Sequence, residues 1–152
     1  MKEKIMKLFD EKKHLLNYEE IDDLHREFLE IYNSVDSLDI NSYIQKLISL
    51  LEHSKVHFKI EEDLMDKYNY PAKREHKDEH QKVLAEMEYF IKSSNSLFGK
   101  KMLKAYFKEK LGDWFDLHLI SMDSDLTAYL KKEINELSRR ENQTRVNAEY
   151  IY

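Results

Sequence analysis

The chain has 152 residues, of which only two are glycine and one is proline, and 36% of its residues are charged. So few turn-forming residues argue against a protein of many short strands, and 41% hydrophobic residues is too much for a disordered chain. The net charge is −5 and no basic cluster accompanies it, so we expect no nucleic-acid partner.

The sequence lacks the features of a membrane-bound or secreted protein. It has no run of about 18 apolar residues, the minimum for a membrane-spanning helix. Its N-terminus lacks the apolar stretch of a secretory signal, and the absence of cysteine excludes disulfides and thiolate ligands. We therefore expect a cytoplasmic protein without a membrane partner.

Apolar residues at three- and four-residue spacing predict four long helices. These helices span residues 18–35, 40–68, 72–91 and 100–137. Asp39 can cap the second helix, and Pro71 separates the second from the third. The segment Ser93-Ser-Asn-Ser96 and Gly99 mark the loop before the fourth helix. That helix tolerates Gly112 at a cost of about 1 kcal/mol relative to alanine.

Short connections between long helices imply antiparallel neighbours. We therefore predict an all-α fold, an up-down-up-down four-helix bundle at residues 18–137. An N-terminal arm at residues 1–17 precedes the bundle. A polar C-terminal extension at residues 138–152 follows it, and we expect its residues to fray.

Five of the seven histidines form a spaced pattern with acidic residues in the predicted helices. His57 and Glu61 are four residues apart, and so are His76 and His80. The members of each pair therefore share one helix face with core-type residues. Imidazole and carboxylate without sulfur suit iron, manganese or zinc. The candidate metal ligands are His25, His57, Glu61, His76, His80, His118 and Asp123.

Asp123 fits an ideal helix poorly as a ligand. It follows His118 by five residues, which places it about 140° around the helix. Two explanations remain open: the side chain reaches sideways to a metal on the bundle axis, or the helix widens locally into a π-bulge, a feature common at functional sites.

Four residues near the candidate ligands have less distinct roles. His14 falls outside the pattern, and we expect it to be solvated. His53 lies one turn before His57 and has either a structural role or a role in supplying protons. We expect Glu62 at the surface, and Asp22 capping or orienting the first helix.

Over residues 9–130 the pattern resembles the hemerythrin-like family, specifically the single-domain bacterial hemerythrins. The motifs that carry the resemblance are Ile21-Asp22-x-x-His25, His57-Phe58-x-x-Glu61-Glu62-x-x-Met65, Tyr70-Pro71, His76 with His80, and Trp114 with His118 and Asp123. All seven ligand positions carry the residue type usual in the family. Three features depart from it: His53 replaces a usual Tyr, Leu24 replaces a usual Gln, and the arm lacks the usual Trp and Gly.

The resemblance implies a non-haem centre of two Fe ions joined by an oxo or hydroxo group, with O2 as its ligand. The implied ligands are His76, His80 and His118 for one iron, His25 and His57 for the other, and Glu61 and Asp123 as bridges. The iron with two histidines keeps one position for dioxygen. A dry, apolar pocket would protect that position, and its candidate walls are Phe28, Leu29, Phe115 and Leu119.

The function implied by the resemblance is reversible dioxygen binding for carriage, storage or scavenging, not enzymatic activity. One alternative is sensing of O2 or NO through a separate protein partner. Another is a di-iron peroxidase or NO-reducing enzyme, for which His53 is the candidate proton source. Di-iron enzymes commonly carry more carboxylates, in two Glu and two Glu-x-x-His motifs, so five imidazoles and two carboxylates fit binding better.

Overall fold

The computed structural model describes residues 7–149, which are all-α and contain no strand. The helices are α1 (Glu11–His14), α2 (Glu19–Asn33), α3 (Ile40–Lys67), α4 (Lys73–Lys92), α5 (Leu97–Ala105), α6 (Gly112–His118) and α7 (Ser124–Glu149). Two π-helical segments, π1 (Tyr106–Leu111) and π2 (Leu119–Asp123), join α5 to α6 and α6 to α7. Within this described range, no helix combines the length and the apolar character that crossing a membrane requires.

The boundaries of α2, α3 and α4 lie close to those predicted, because the helix cap and the chain break that the sequence indicated are present in the structure. The Asp39 side chain accepts a hydrogen bond from the backbone N–H of Asn41 and so caps α3. After α3 the chain turns through Asn69, whose φ of 51° lies in the left-handed region that asparagine tolerates. Pro71 follows, and α4 then begins.

The segments from α5 to α7 form one continuous rod, since the residues at every junction keep right-handed helical dihedrals. The rod begins at Leu97, where the Ser96 side chain accepts a hydrogen bond from the backbone of Gly99. Glycine is required at position 99 because a Cβ there would lie 1.7 Å from the carbonyl oxygen of Ser93.

The predicted end of the last helix near Leu137 is wrong, because α7 continues to Glu149. The extra turns are almost entirely exposed. They are rich in Arg, Glu and Gln, which favour helix even without packing. Residues 1–6 of the predicted arm and 150–152 of the predicted tail lie outside the described residues.

The buried apolar side chains form two clusters, and the candidate ligands lie between them. On α2, His25 falls between Ile21 of the smaller cluster and Phe28 of the larger one. On α3, Glu61 likewise falls between Phe58 of the larger cluster and Met65 of the smaller one. A layer of polar groups is therefore enclosed by apolar side chains on both sides.

The described part of the N-terminal arm packs against the helices, and the expectation that His14 is solvated is wrong. His14 is 2% exposed: its Nδ1 accepts a hydrogen bond from the backbone N–H of Asp10, and its Nε2 lies 2.9 Å from Asp116 Oδ1. Lys7 exchanges two backbone hydrogen bonds with the side chain of Asn33. The contacts that bury His14 are tertiary, so the helical periodicity of the sequence could not predict its burial.

The prediction that Asp22 caps or orients the first helix is confirmed. Its carboxylate accepts hydrogen bonds from the backbone N–H groups of Leu16 and Tyr18, at 2.8 and 3.1 Å. Both residues precede α2, so Asp22 fixes the path by which the arm enters that helix.

We expect Asp116→Ala to lower the free energy of unfolding at pH 7 by about 1.5–3 kcal/mol, the usual value of hydrogen bonds to a charged group. Asp116 forms ion pairs with Lys7 and Lys13 at 2.7 and 3.0 Å besides its contact with His14. Urea denaturation measures the effect. Asp113→Ala, an exposed position in the same helix, is the matched control, and equal losses in the two variants would contradict the prediction.

The effect of Asp116→Ala should depend on pH. Burial raises the pKa of Asp116, but its hydrogen bonds with Lys7, His14 and Lys13 outweigh burial and hold the pKa below its usual value. A lowered carboxyl pKa stabilises the folded state above the unfolded pKa of about 4, and this contribution is lost as the pH falls through the folded pKa. The difference between wild type and variant should therefore shrink below about pH 4.

Candidate metal centre

The seven candidate ligands are all buried and their side chains meet at one place. They come from α2 (His25), α3 (His57 and Glu61), α4 (His76 and His80), α6 (His118) and π2 (Asp123). Their nitrogen and oxygen atoms form two groups, each with its donor atoms within 4.8 Å of one another. Group 1 contains Glu61, His76, His80, His118 and Asp123, and group 2 contains His25, His57 and Glu61.

Glu61 turns one carboxylate oxygen to each group. Its Oε2 lies 2.7 Å from His57 Nε2 and 3.9 Å from His25 Nε2. Its Oε1 lies 3.3 Å from His80 Nε2 and 3.8 Å from His76 Nε2. A carboxylate placed in this way can bridge two cations, one in each group.

Asp123 is arranged in the same manner from the opposite side. Its Oδ2 lies 2.9 Å from His25 Nε2. Its Oδ1 lies 3.0 Å from His76 Nε2 and 3.2 Å from His118 Nε2. Asp123 therefore faces group 2 as well as group 1, and the centre has two carboxylates that each face both groups.

The π-helical segment π2 accounts for the position of Asp123. Here the backbone N–H of Ser124 bonds to the carbonyl of Leu119, five residues earlier. The wider turn brings residue i+5 back towards residue i, so Asp123 returns to the side of His118. Of the two explanations left open by the sequence, the structure has the local widening.

Several buried polar atoms of the centre lack a hydrogen-bond partner among the described residues. They are His25 Nδ1, Glu61 Oε1, His76 Nδ1, His80 Nε2, His118 Nδ1 and Asp123 Oδ1. Leaving such atoms unsatisfied is costly unless another group binds them. Asp123 Oδ1 is only 3.0 Å from His76 Nε2 and still forms no hydrogen bond. Two ligand atoms about 3 Å apart fit a single cation that binds each of them at about 2.1 Å, with an angle of about 90° between the two bonds.

Neighbouring histidines lower the pKa of both buried carboxylates. Burial and the Asp123 charge raise the pKa of Glu61, but the His57 and His80 rings outweigh them and lower it. Burial likewise raises the pKa of Asp123, whereas His118, His25 and His76 hold it well below its usual value. Two buried negative charges among imidazoles are suited to cations, so the residues present fit a pair of metal ions.

Glu62 contacts the centre from outside, and its predicted surface position is correct only in part. Its Oε2 accepts a hydrogen bond from Nδ1 of His80 at 3.1 Å, which leaves His80 Nε2 to face the centre. The Glu62 side chain is 20% exposed. The sequence held no signal for this contact, because it depends on how α3 and α4 are aligned.

A small cavity adjoins group 2. Its lining residues are His25, Phe28, His57, Phe58, Trp114, Phe115, His118 and Asp123. Its volume of about 10 Å³ is the space open to the centre of a water-sized molecule, roughly enough for one such molecule.

Two of the four predicted pocket walls are correct. Phe28 and Phe115 line the cavity and stack with their centroids 4.4 Å apart. Leu29 and Leu119 are wrong: both are buried in the larger apolar cluster and do not line the cavity. Helical spacing from a ligand does not determine which neighbour faces a particular void. Trp114, which lines it instead, stacks on His118 at 4.6 Å.

We expect metal ions to stabilise this protein strongly. Binding adds about 4 kcal/mol to the free energy of unfolding when free metal exceeds its Kd 1,000-fold. Glu61→Gln should remove most of this gain because both groups share Glu61. Denaturation with metal and with a chelator measures this difference in the free energy of unfolding. Glu52→Gln, an exposed change in α3, is the control. An undiminished gain in Glu61→Gln would contradict the prediction.

Comparison with known proteins bears on the family that the sequence resembles. A curated protein named Bacteriohemerythrin, from Ralstonia nicotianae, is 26% identical over 109 residues, which are 70% of this chain and 76% of that protein. No protein-family model matches the chain, and no solved structure matches it. The similarity to Bacteriohemerythrin confirms the predicted resemblance to the hemerythrin-like family.

Proposed function

We propose that this protein binds dioxygen reversibly at a non-haem di-iron centre and thereby carries, stores or scavenges dioxygen. One observation carries the proposal: two buried carboxylates, Glu61 and Asp123, each turn one oxygen to each of two groups of histidines. Two bridged cations fit this arrangement better than one. The similarity to Bacteriohemerythrin supports iron and dioxygen as the metal and its ligand.

The proposed ligands are divided unequally between the two irons. His76, His80 and His118 would hold one iron, His25 and His57 would hold the other, and Glu61 and Asp123 would bridge them. The iron held by fewer protein donors would be the one with room for dioxygen. Held by these residues, a pair of irons would supply reversible electron transfer to dioxygen.

We also propose that residues 18–137 form an up-down-up-down four-helix bundle. Its members would be α2, α3, α4 and the rod from α5 to α7. The connections between them are short, as antiparallel neighbours require. Each of these four members contributes at least one candidate ligand, which supports a centre on the bundle axis.

The cavity beside group 2 supports reversible binding. Apart from the candidate ligands and the indole of Trp114, its lining consists of Phe28, Phe58 and Phe115. These rings carry no exchangeable proton and exclude water from the bound molecule. Exclusion of water suppresses the side reactions that would consume dioxygen.

The position of His53 weighs against the peroxidase alternative, for which it was the candidate proton source. Nε2 of His53 faces Nδ1 of His57 at 3.3 Å. Its side chain is only 10% exposed. A histidine that faces another ring and has little contact with water is a poor proton donor.

Anaerobic loading with Fe(II) tests the proposal directly. We expect about two irons per chain by metal analysis, the number that two groups of donors can hold. Exposure to dioxygen should produce a new absorption band that disappears under argon over repeated cycles. Glu61→Gln is the negative control. Less than two irons in the wild type, or dioxygen consumed without recovery, would rule out reversible binding at such a centre.

We expect Phe28→Leu to speed irreversible oxidation of the loaded protein about tenfold, equivalent to a barrier lower by about 1.4 kcal/mol. The shorter side chain opens the cavity that Phe28 closes against Phe115. Phe90→Leu is the matched control, since Phe90 stacks on Tyr106 and does not line the cavity. The measurement is the decay of the oxygenated spectrum, and equal decay in both variants would contradict this role.

A further inference from the structure

His53 lies in α3 one turn before His57 and contacts that candidate ligand from outside the centre. Its Nε2 is 3.3 Å from Nδ1 of His57, on the side of the His57 ring away from Glu61. The ring centroid of His53 also lies 6.3 Å from that of Phe28, edge to face. His53 is therefore held between a candidate ligand and a wall of the cavity.

The opposite side of the His53 ring favours a hydrogen on Nδ1. That nitrogen lies 3.7 Å from Oε2 of Glu27 in α2, and a carboxylate attracts an N–H rather than a lone pair. A neutral ring with its hydrogen on Nδ1 has a lone pair on Nε2 and accepts there.

The direction of this hydrogen bond determines the tautomer of His57. With His53 as the acceptor, His57 donates from Nδ1, and its Nε2 offers a lone pair to a cation. Oε2 of Glu61, 2.7 Å from that nitrogen, would bind the same cation. The order from the outside to the centre is His53, His57 and the cation of group 2.

The two groups of the centre differ in their outer contacts. In group 1, Nδ1 of His80 donates to the carboxylate of Glu62 at 3.1 Å. In group 2, Nδ1 of His57 faces the neutral ring of His53. The Nδ1 atoms of the other three candidate ligands, His25, His76 and His118, have no hydrogen-bond partner among the described residues.

We propose that His53 is a positioning residue for group 2, which accepts the Nδ1 hydrogen of His57 and thereby aims Nε2 of His57 at the cation. The inference rests on the proposed metal centre. Outer hydrogen bonds of this kind fix ring orientation, and their loss typically lowers metal affinity 10- to 100-fold. The effect should be confined to one of the two cations, because His53 contacts no ligand of group 1.

Zinc titration, with competition by a chelator, tests the proposal without dependence on iron or dioxygen. We expect His53→Leu to weaken one of two zinc sites about 10- to 100-fold and to leave the other unchanged. His53→Gln should restore most of the affinity, since its amide oxygen can accept from His57. Glu52→Gln, an exposed change at the neighbouring position of α3, is the matched control.

Three results would overturn the inference: unchanged zinc affinity in His53→Leu, equal weakening of both sites, or no rescue by His53→Gln. Nitrogen-15 NMR of the zinc-loaded protein supplies a second measurement. We expect a protonated Nδ1 and an unprotonated Nε2 for His53, and the opposite tautomer would also overturn it. Normal zinc binding and the expected tautomer without reversible dioxygen binding would instead defeat the proposed function alone.

Discussion

Two buried negative charges govern the organisation of this protein. Glu61 and Asp123 are 0% and 2% exposed, yet their neighbours hold both pKa values below the usual range. Burial of an unpaired carboxylate is expensive, so the surrounding imidazoles and the cations that we propose are part of what makes the interior stable. The apolar clusters on either side enclose this layer and exclude water from it.

Local helix geometry and the N-terminal arm both contribute to the centre. The π-helical segment π2 returns Asp123 to the side of His118. The arm places His14 against Asp116, with its ring 5.9 Å from Phe115, which lines the cavity. Disturbance of the arm could therefore reach the cavity through a single aromatic contact, even though no arm residue is a candidate ligand.

Much of the helical framework was readable in the sequence because its signals are local. The periodic apolar residues of α2, α3 and α4, the cap at Asp39 and the break at Pro71 all act within a few residues. The candidate ligands were readable for the same reason, since His57 with Glu61 and His76 with His80 are each one turn apart. Their buried meeting point follows from the apolar faces that they share.

The sequence by itself determined the all-α character, the approximate helices and the paired candidate ligands, because each depends on spacing along one helix. Only the tertiary structure decided which outer groups meet the candidate ligands. Glu62 reaches His80 and His53 reaches His57 according to helix register and ring orientation. It also decided that His14 is buried, since its partner Asp116 is distant in sequence and no local pattern encodes such a contact.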